Sequence, residues 1–200
     1  RMITKGQVKV GMMKDGTVTA VEMTQIADAG ATASTQEFML AVGTNTLPVL
    51  CKTNYKRFNA EVVVTNHVPS GSFRGYGYLE STNLLTTAIF KACDQLGIDP
   101  MDYLEKNVMA LDDEYHNAMA PAGHRWVTNK SSDWANLVRE TAKACRWKER
   151  WQGWGKPTWV SPDGKKRRGI GVCAAGHSDT GGKQSNCNDQ WHKFFPQTET

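Results

Sequence analysis

Long apolar runs, closely paired cysteines and a dominant sign of charge are all missing from this 200-residue chain. No stretch approaches the ~18 uninterrupted apolar residues of a membrane span, so no membrane-embedded role is expected. The five cysteines stand at positions 51, 93, 145, 173 and 187. None has the two-residue spacing of a zinc knuckle or redox motif, and their intervals match no common iron–sulfur pattern. An odd, irregular set with no charged-then-apolar leader predicts reduced thiols and a cytoplasmic setting. The opening Arg1-Met2-Ile3-Thr4 reads as chain already in progress, so an internal piece of a longer protein is expected. His67, His116, His124, His177 and His192 never fall four apart on a helix, which argues against a histidine metal site.

Charge is nearly balanced, 24 basic against 20 acidic residues for a net +4. A nucleic-acid module would need more positive charge interleaved with exposed aromatics, so no nucleic-acid partner is expected. The one compact basic run, Lys165-Lys166-Arg167-Arg168, follows the turn-like Ser161-Pro162-Asp163-Gly164 and reads as a solvated loop entering a strand. Tryptophan is the residue in excess. Five of the seven (Trp126, Trp134, Trp147, Trp151 and Trp154) lie between positions 126 and 154, either packed densely or covering a surface that belongs to something else.

Periodicity predicts an α+β chain. Residues 7–27 alternate on either side of Lys14-Asp15-Gly16-Thr17, a hairpin in which Asp-Gly supplies the positive φ of a tight reversal. A short helix is expected over 35–42, closed by 44–48. The run Val62-Val63-Val64 within 59–65 predicts a strand buried on both faces. Leu84, Leu85, Ala88, Ile89, Ala92 and Leu96 form one face of a helix over 79–96, ended by Gly97. Asp99-Pro100 starts another, to about Val108, with Leu104 and Val108 inward. Residues 112–129 read as irregular. Ser132-Asp133 opens a helix to about Arg146 with Leu137, Val138, Thr141, Ala144 and Cys145 on its inner side. Residues 153–164 read as a connector and 168–174 as a strand.

Chemistry is most legible in Gly71-Ser72-Phe73-Arg74-Gly75-Tyr76-Gly77, set between a strand and the longest helix. Backbone N–H groups at such a junction can face an anion. Glycines on each side of Arg74 allow close approach to the main chain. Arg74 can pair with a phosphate or oxo group, and Phe73 or Tyr76 can offer a flat face. The alternative is a tight loop with an aromatic anchor and a surface arginine. The segment Gly176-His177-Ser178-Asp179-Thr180-Gly181-Gly182-Lys183 holds triad residue types, but adjacent residues cannot adopt triad geometry, and it misses P-loop spacing. It reads as a solvent loop.

Thr65-Asn66, a proline loop and then Phe73-Arg74-Gly75-Tyr76-Gly77 resemble the signature of the molybdenum-binding large subunit of the xanthine dehydrogenase/aldehyde oxidase family. The likeness extends upstream to Lys14-Asp15-Gly16-Thr17-Val18 and Asp28-Ala29-Gly30-Ala31. Downstream it takes in Leu96-Gly97-Ile98-Asp99-Pro100 with Asn107, and Arg168-Gly169-Ile170-Gly171-Val172. It covers about residues 3 to 175.

The resemblance implies an α+β fragment of a molybdopterin-binding domain. Residues 1–128 would belong to the first half of the cofactor-binding region and 129–200 would open the second. It implies a molybdenum–molybdopterin cofactor contacted by Phe73, Arg74 and Gly75. The main chain of Arg74 would lie nearest the metal, Tyr76 would pack on the substrate, and Gly77 would help shape the loop. In that family the molybdenum centre hydroxylates an electron-poor carbon and electrons leave through iron–sulfur clusters. Small-molecule substrate, iron–sulfur and flavin (FAD) domains or subunits and an oligomeric parent enzyme are implied with it. The reaction expected is oxidation of an aldehyde or aromatic heterocycle, or reduction of an aromatic thioester.

Two departures stand out. Tyr78-Leu79-Glu80 replaces the family's linker and proline-glutamine, putting a carboxylate where a neutral amide is usual. Residues 35–50 hold no Arg or Lys, which disfavours a purine. The family's glutamate base, carried in a glycine-rich motif, is not found in these 200 residues, so no catalytic residue is assigned and the piece is not expected to act alone. A non-catalytic scaffold that kept the fold is the rival expectation.

Overall fold

The computed structural model describes residues 3–32, 36–43, 46–71, 73, 75, 77–116, 126–130 and 132–175. The hairpin forms as expected. Strand β1 (Ile3–Met12) pairs antiparallel with β2 (Val18–Gly30), from Ile3 opposite Asp28 to Val10 opposite Val21. Gly16 takes φ 84° in the turn, and the Asp15 carboxylate accepts from the Thr17 amide (3.0 Å) and hydroxyl (3.1 Å). Along β2, Val21, Met23, Gln25, Ala27 and Ala29 are buried in strict alternation, the period of a strand with one covered face.

Strand β3 (Lys56–Val64) then pairs with β2 in parallel, giving the order β1-β2-β3. The connection holds α1 (Gln36–Gly43) and α2 (Thr46–Leu50). Residues 46–48 are thus not a closing segment but part of a second, buried helix, whose Thr46 hydroxyl donates to the Gly43 carbonyl (2.9 Å). β3 is not buried on both faces. Of Val62-Val63-Val64 only Val62 packs inward, against Ala27, Met39 and Leu40, while Val64 is 62% exposed; Phe58 at the other end of the strand packs on the main core. The reason is position: β3 is a terminal strand of a three-stranded sheet.

Helix α3 (Tyr78–Leu96) buries Leu85, Ile89 and Cys93, one position per turn, and lies across β1. Leu96, expected on that face, is exposed at the last turn. Gly97 (φ 70°) closes the helix, with its N–H on Asp94 O and the next N–H on Cys93 O. Asp99 caps α4 (Pro100–Asn107), accepting from the Met101 amide at 2.8 Å. At the other end of α4, Asn107 ties the helix to the hairpin. Its Oδ1 accepts from Val18 N–H (3.2 Å), and its Nδ2 donates to the carbonyls of Gly16 (2.9 Å) and Tyr103 (3.0 Å).

The segment read as irregular contains two short paired strands, β4 (Glu114–His116) and β5 (Trp126–Thr128). Helix α5 (Trp134–Ala144) is rotated from the expected face: Ala135, Val138, Ala142 and Cys145 pack inward, while Leu137 is 56% exposed. After α6 (Trp147–Arg150), the connector and expected strand become a small hairpin, β6 (Trp159–Val160) with β7 (Arg167–Arg168). Residues 169–175 are not strand.

The tryptophan excess proves to be packing in part. Trp147 is fully buried, stacks on Trp151 with centroids 6.0 Å apart, and donates from Nε1 to both Asp99 oxygens (2.9 and 3.1 Å). Trp126 and Trp159 are exposed. One core cluster runs from Val18 on β2 to Trp147 on α6. Among the described residues no helix is long and apolar enough to cross a membrane.

Candidate functional site

The loop between β3 and α3 is fixed at its stem by the end of β2. Asp28 Oδ1 accepts from the Thr65 hydroxyl (2.7 Å) and the Gly30 amide (2.8 Å), and Oδ2 lies 2.5 Å from His67 Nδ1. The Ser70 hydroxyl donates to the Asp28 carbonyl (3.0 Å), and the Ser70 amide to the Ala29 carbonyl (2.9 Å). From α1, Gln36 Nε2 donates to the Ser70 carbonyl (2.7 Å). Gly30 is obligatory here: a Cβ on it would sit 2.3 Å from the Val68 carbonyl oxygen, at φ 74°. The small-residue segment 28–31, which in the sequence stands out only by its family likeness, is the clamp of the loop. Its partners lie about forty positions away, so no local pattern could reveal it.

This network holds the Asp28 carboxyl down at about 2, first through the Thr65 hydroxyl, then through the His67 imidazole and the Gly30 amide. A carboxylate whose folded pKa lies below its unfolded value of 3.8 contributes stability above about pH 4, and loses it as pH falls toward 2. The thermal stability gap between the parent chain and Asp28→Ala is expected to be widest above pH 4 and to narrow steadily down to pH 2. A gap that does not change with pH would show that the carboxylate is not the clamp.

At the far end of the loop, Gly75 (φ 102°) and Gly77 (φ 93°) turn the chain into α3, with Tyr78 N–H on the Gly75 carbonyl (2.9 Å). Gly77 caps α3 without any side-chain acceptor. The helix N-terminus, with its partial positive charge, thus receives no side-chain acceptor from its own cap residue. Phe73 is 56% exposed, its ring presented rather than packed. Arg74 and Tyr76 lie outside the described residues, as do His124 and residues 176–200, so the His177–Lys183 segment cannot be placed. Of the five histidines, His67 is in the Asp28 clamp, and among the described residues no group of three His, Cys, Asp or Glu could hold a metal ion. The arrangement can receive a flat group carrying negative charge: glycine backbone for close approach, an exposed ring, and a long helix pointing its N-terminus into the loop.

A family model described as the molybdopterin cofactor-binding domain matches residues 1–108. Residues of this chain are 33% identical over 111 positions to a probable hypoxanthine oxidase of Escherichia coli, 54% of this chain and 11% of that protein. They are 28% identical over 155 positions to a probable xanthine dehydrogenase subunit of Bacillus subtilis, 73% of this chain and 20% of that one. The chain therefore spans between about a tenth and a fifth of the length of these relatives. Among solved structures, an aldehyde oxidoreductase from Desulfovibrio gigas superposes with a TM-score of 0.59 at 23% identity, covering 73% of this chain and 16% of that one. Quinoline 2-oxidoreductase from Pseudomonas putida gives 0.58 at 23%, covering 73% and 19%. These likenesses show a shared α+β fold. With the family match extending over more than half of its length, the chain belongs to the molybdopterin cofactor-binding domain family.

Proposed function

We propose that the chain is part of the molybdenum-cofactor-binding subunit of an oxidoreductase that oxidises an aldehyde or aromatic heterocycle, or reduces an aromatic thioester. The observation that carries this reading is the loop clamped by Asp28, Gly30 and Gln36 and delivered to the glycine-capped N-terminus of α3. Its residues fit a flat anionic cofactor: positive-φ Gly75 leaves the backbone bare, buried Gly77 seats the start of α3 on α1, and Phe73 is exposed beside them. Phe73, Arg74 and Gly75 would hold the cofactor, with the Arg74 main chain nearest the metal and Tyr76 against the substrate. When bound, the cofactor supplies the oxidative hydroxylation chemistry. The role of this chain is to orient the cofactor and substrate by a loop whose stem cannot drift. Residues 1–128 belong to the first half of the cofactor region and 129–200 to the opening of the second. Iron–sulfur and flavin domains or subunits take up the electrons, in a cytoplasmic, oligomeric enzyme. Residues 35–50, with no Arg or Lys, weigh against a purine substrate.

A second reading, a scaffold that kept the fold without the chemistry, has one observation in its favour. Glu80 stands in the first turn of α3. There its charge suits the helix dipole but opposes an anionic group approaching the same end.

Metal and pterin analysis of the full-length protein, matured in a host that makes the cofactor, separates the two. Near-stoichiometric molybdenum is expected, with metal or activity lost in Arg74→Glu. A well-folded full-length protein without molybdenum would leave the scaffold reading standing.

A further inference from the structure

We infer that a second binding site, sharing no residue with the Phe73–Gly77 loop, lies in the cavity between α3, α6 and the segment 167–172, and that it takes a planar aromatic ring carrying an anionic group. The cavity measures about 410 Å³, within the roughly 300–1,000 Å³ range of small-ligand sites. Phe90, Trp151 and Trp154 give it an aromatic wall, the two indoles set perpendicular at 6.2 Å and the Phe90 ring 6.2 Å from Trp154. That wall is fixed before any ligand arrives: Trp154 Nε1 donates to the Ile98 carbonyl at 2.8 Å, and Trp151 stacks on the buried Trp147. A preset surface of rings recognises a flat partner with little ordering cost.

Charge selects among flat partners. Lys156, Arg167 and Arg168 line the same cavity, and no acidic residue does. Some exposed lysines elsewhere are matched, as in Lys9 with Glu22, Lys52 with Asp113, and Lys148 with Asp99 and Asp102, while among the described residues Lys5, Lys14 and Lys91 stand singly; what sets the cavity apart is three cations converging on one aromatic wall. Among the described residues no ion pair involves any of the three cavity cations. The Arg168 guanidinium rests over the Trp159 ring, 5.7 Å from its centroid, which restrains it without neutralising it. Uncompensated positive charge beside fixed rings favours an aromatic anion over its neutral analogue.

Calorimetric titration of the full-length protein with 2-naphthoate, adenosine 5′-monophosphate and the uncharged 2-naphthamide tests this. One of the acids is expected to bind once per chain and about tenfold or more tighter than the amide. Naphthoate as the better ligand points to an aromatic acid, the monophosphate to a nucleotide. Arg167 and Lys156 are exposed, so Arg167→Glu and Lys156→Glu keep the fold, and each is expected to weaken binding about tenfold. Trp151→Ala should abolish it. Failure of both acids to bind, as when another part of the protein fills the cavity, would overturn the inference. So would equal binding of the amide, or indifference to both charge reversals. None of these readouts depends on molybdenum.

Discussion

Replacing Gly77 by alanine is expected to destabilise the chain by roughly 2–5 kcal/mol in urea unfolding, from a left-handed backbone penalty and overpacking together. A Cβ at this position would lie 1.9 Å from the Met39 carbonyl oxygen and 2.7 Å from its carbon, at φ 93°. The obstacle is backbone, so no side-chain rotation relieves it. α1 and α3 must separate or the loop must move. The reciprocal contact is equally tight, since a Cβ on Gly43 would meet the Ser81 hydroxyl at 2.2 Å. Gly75→Ala is the internal control. Its φ is 102°, but the nearest atom to a new Cβ is Leu79 Cβ at 3.7 Å, so only the backbone penalty of roughly 1–2 kcal/mol applies. If Gly77→Ala proved no worse than Gly75→Ala, the close seating of α1 on the start of α3 would be wrong.

Trp147→Ala is expected to cost about 3–5 kcal/mol, the range for emptying a large aromatic site in a packed core. The ring is 1% exposed and joins the core cluster to the Trp151 stack. Its loss also takes an indole donor from the nearly buried Asp99, leaving that carboxylate with Met101 N–H and Lys148 Nζ. Trp147→Phe keeps much of the ring and loses the N–H alone, so it should cost less, about 1–3 kcal/mol. The order alanine, then phenylalanine, then parent is the result to look for in denaturation midpoints. An alanine variant within about 1 kcal/mol of the parent would place this tryptophan outside the core.

How much of this was legible beforehand depended on how local the signal was. The hairpin around Asp15-Gly16, the run of α3 to Gly97 and the Asp99-Pro100 start of α4 are each written within a few residues, and each stands where the pattern puts it. Burial of β3 is not legible locally, because Val62-Val63-Val64 looks alike in a central strand and an edge strand, and strand order is a property of the whole sheet. On α5, apolar residues occur at helical spacing in more than one register, and the buried Trp147 and Asp99 decide which faces inward. Strands of three residues such as β4 and β5 are too short to show a period. The loop at Phe73–Gly77 could be singled out by its glycines. Its clamp could not, because Asp28, Gln36 and Thr65 meet only after folding.

The parallel pairing of β2 with β3 also sets an order of events in time. β1 and β2 are joined by a tight turn and can zip within microseconds. Val21 meets Lys56 only after the thirty-four residues between them have closed on themselves, a slow, entropically opposed step. Until then Asp28 has no Thr65 or His67 to hold. The stem of the Phe73–Gly77 loop accordingly forms only after β3 docks, and a substitution that retards that docking would delay the clamp while leaving the finished fold unchanged.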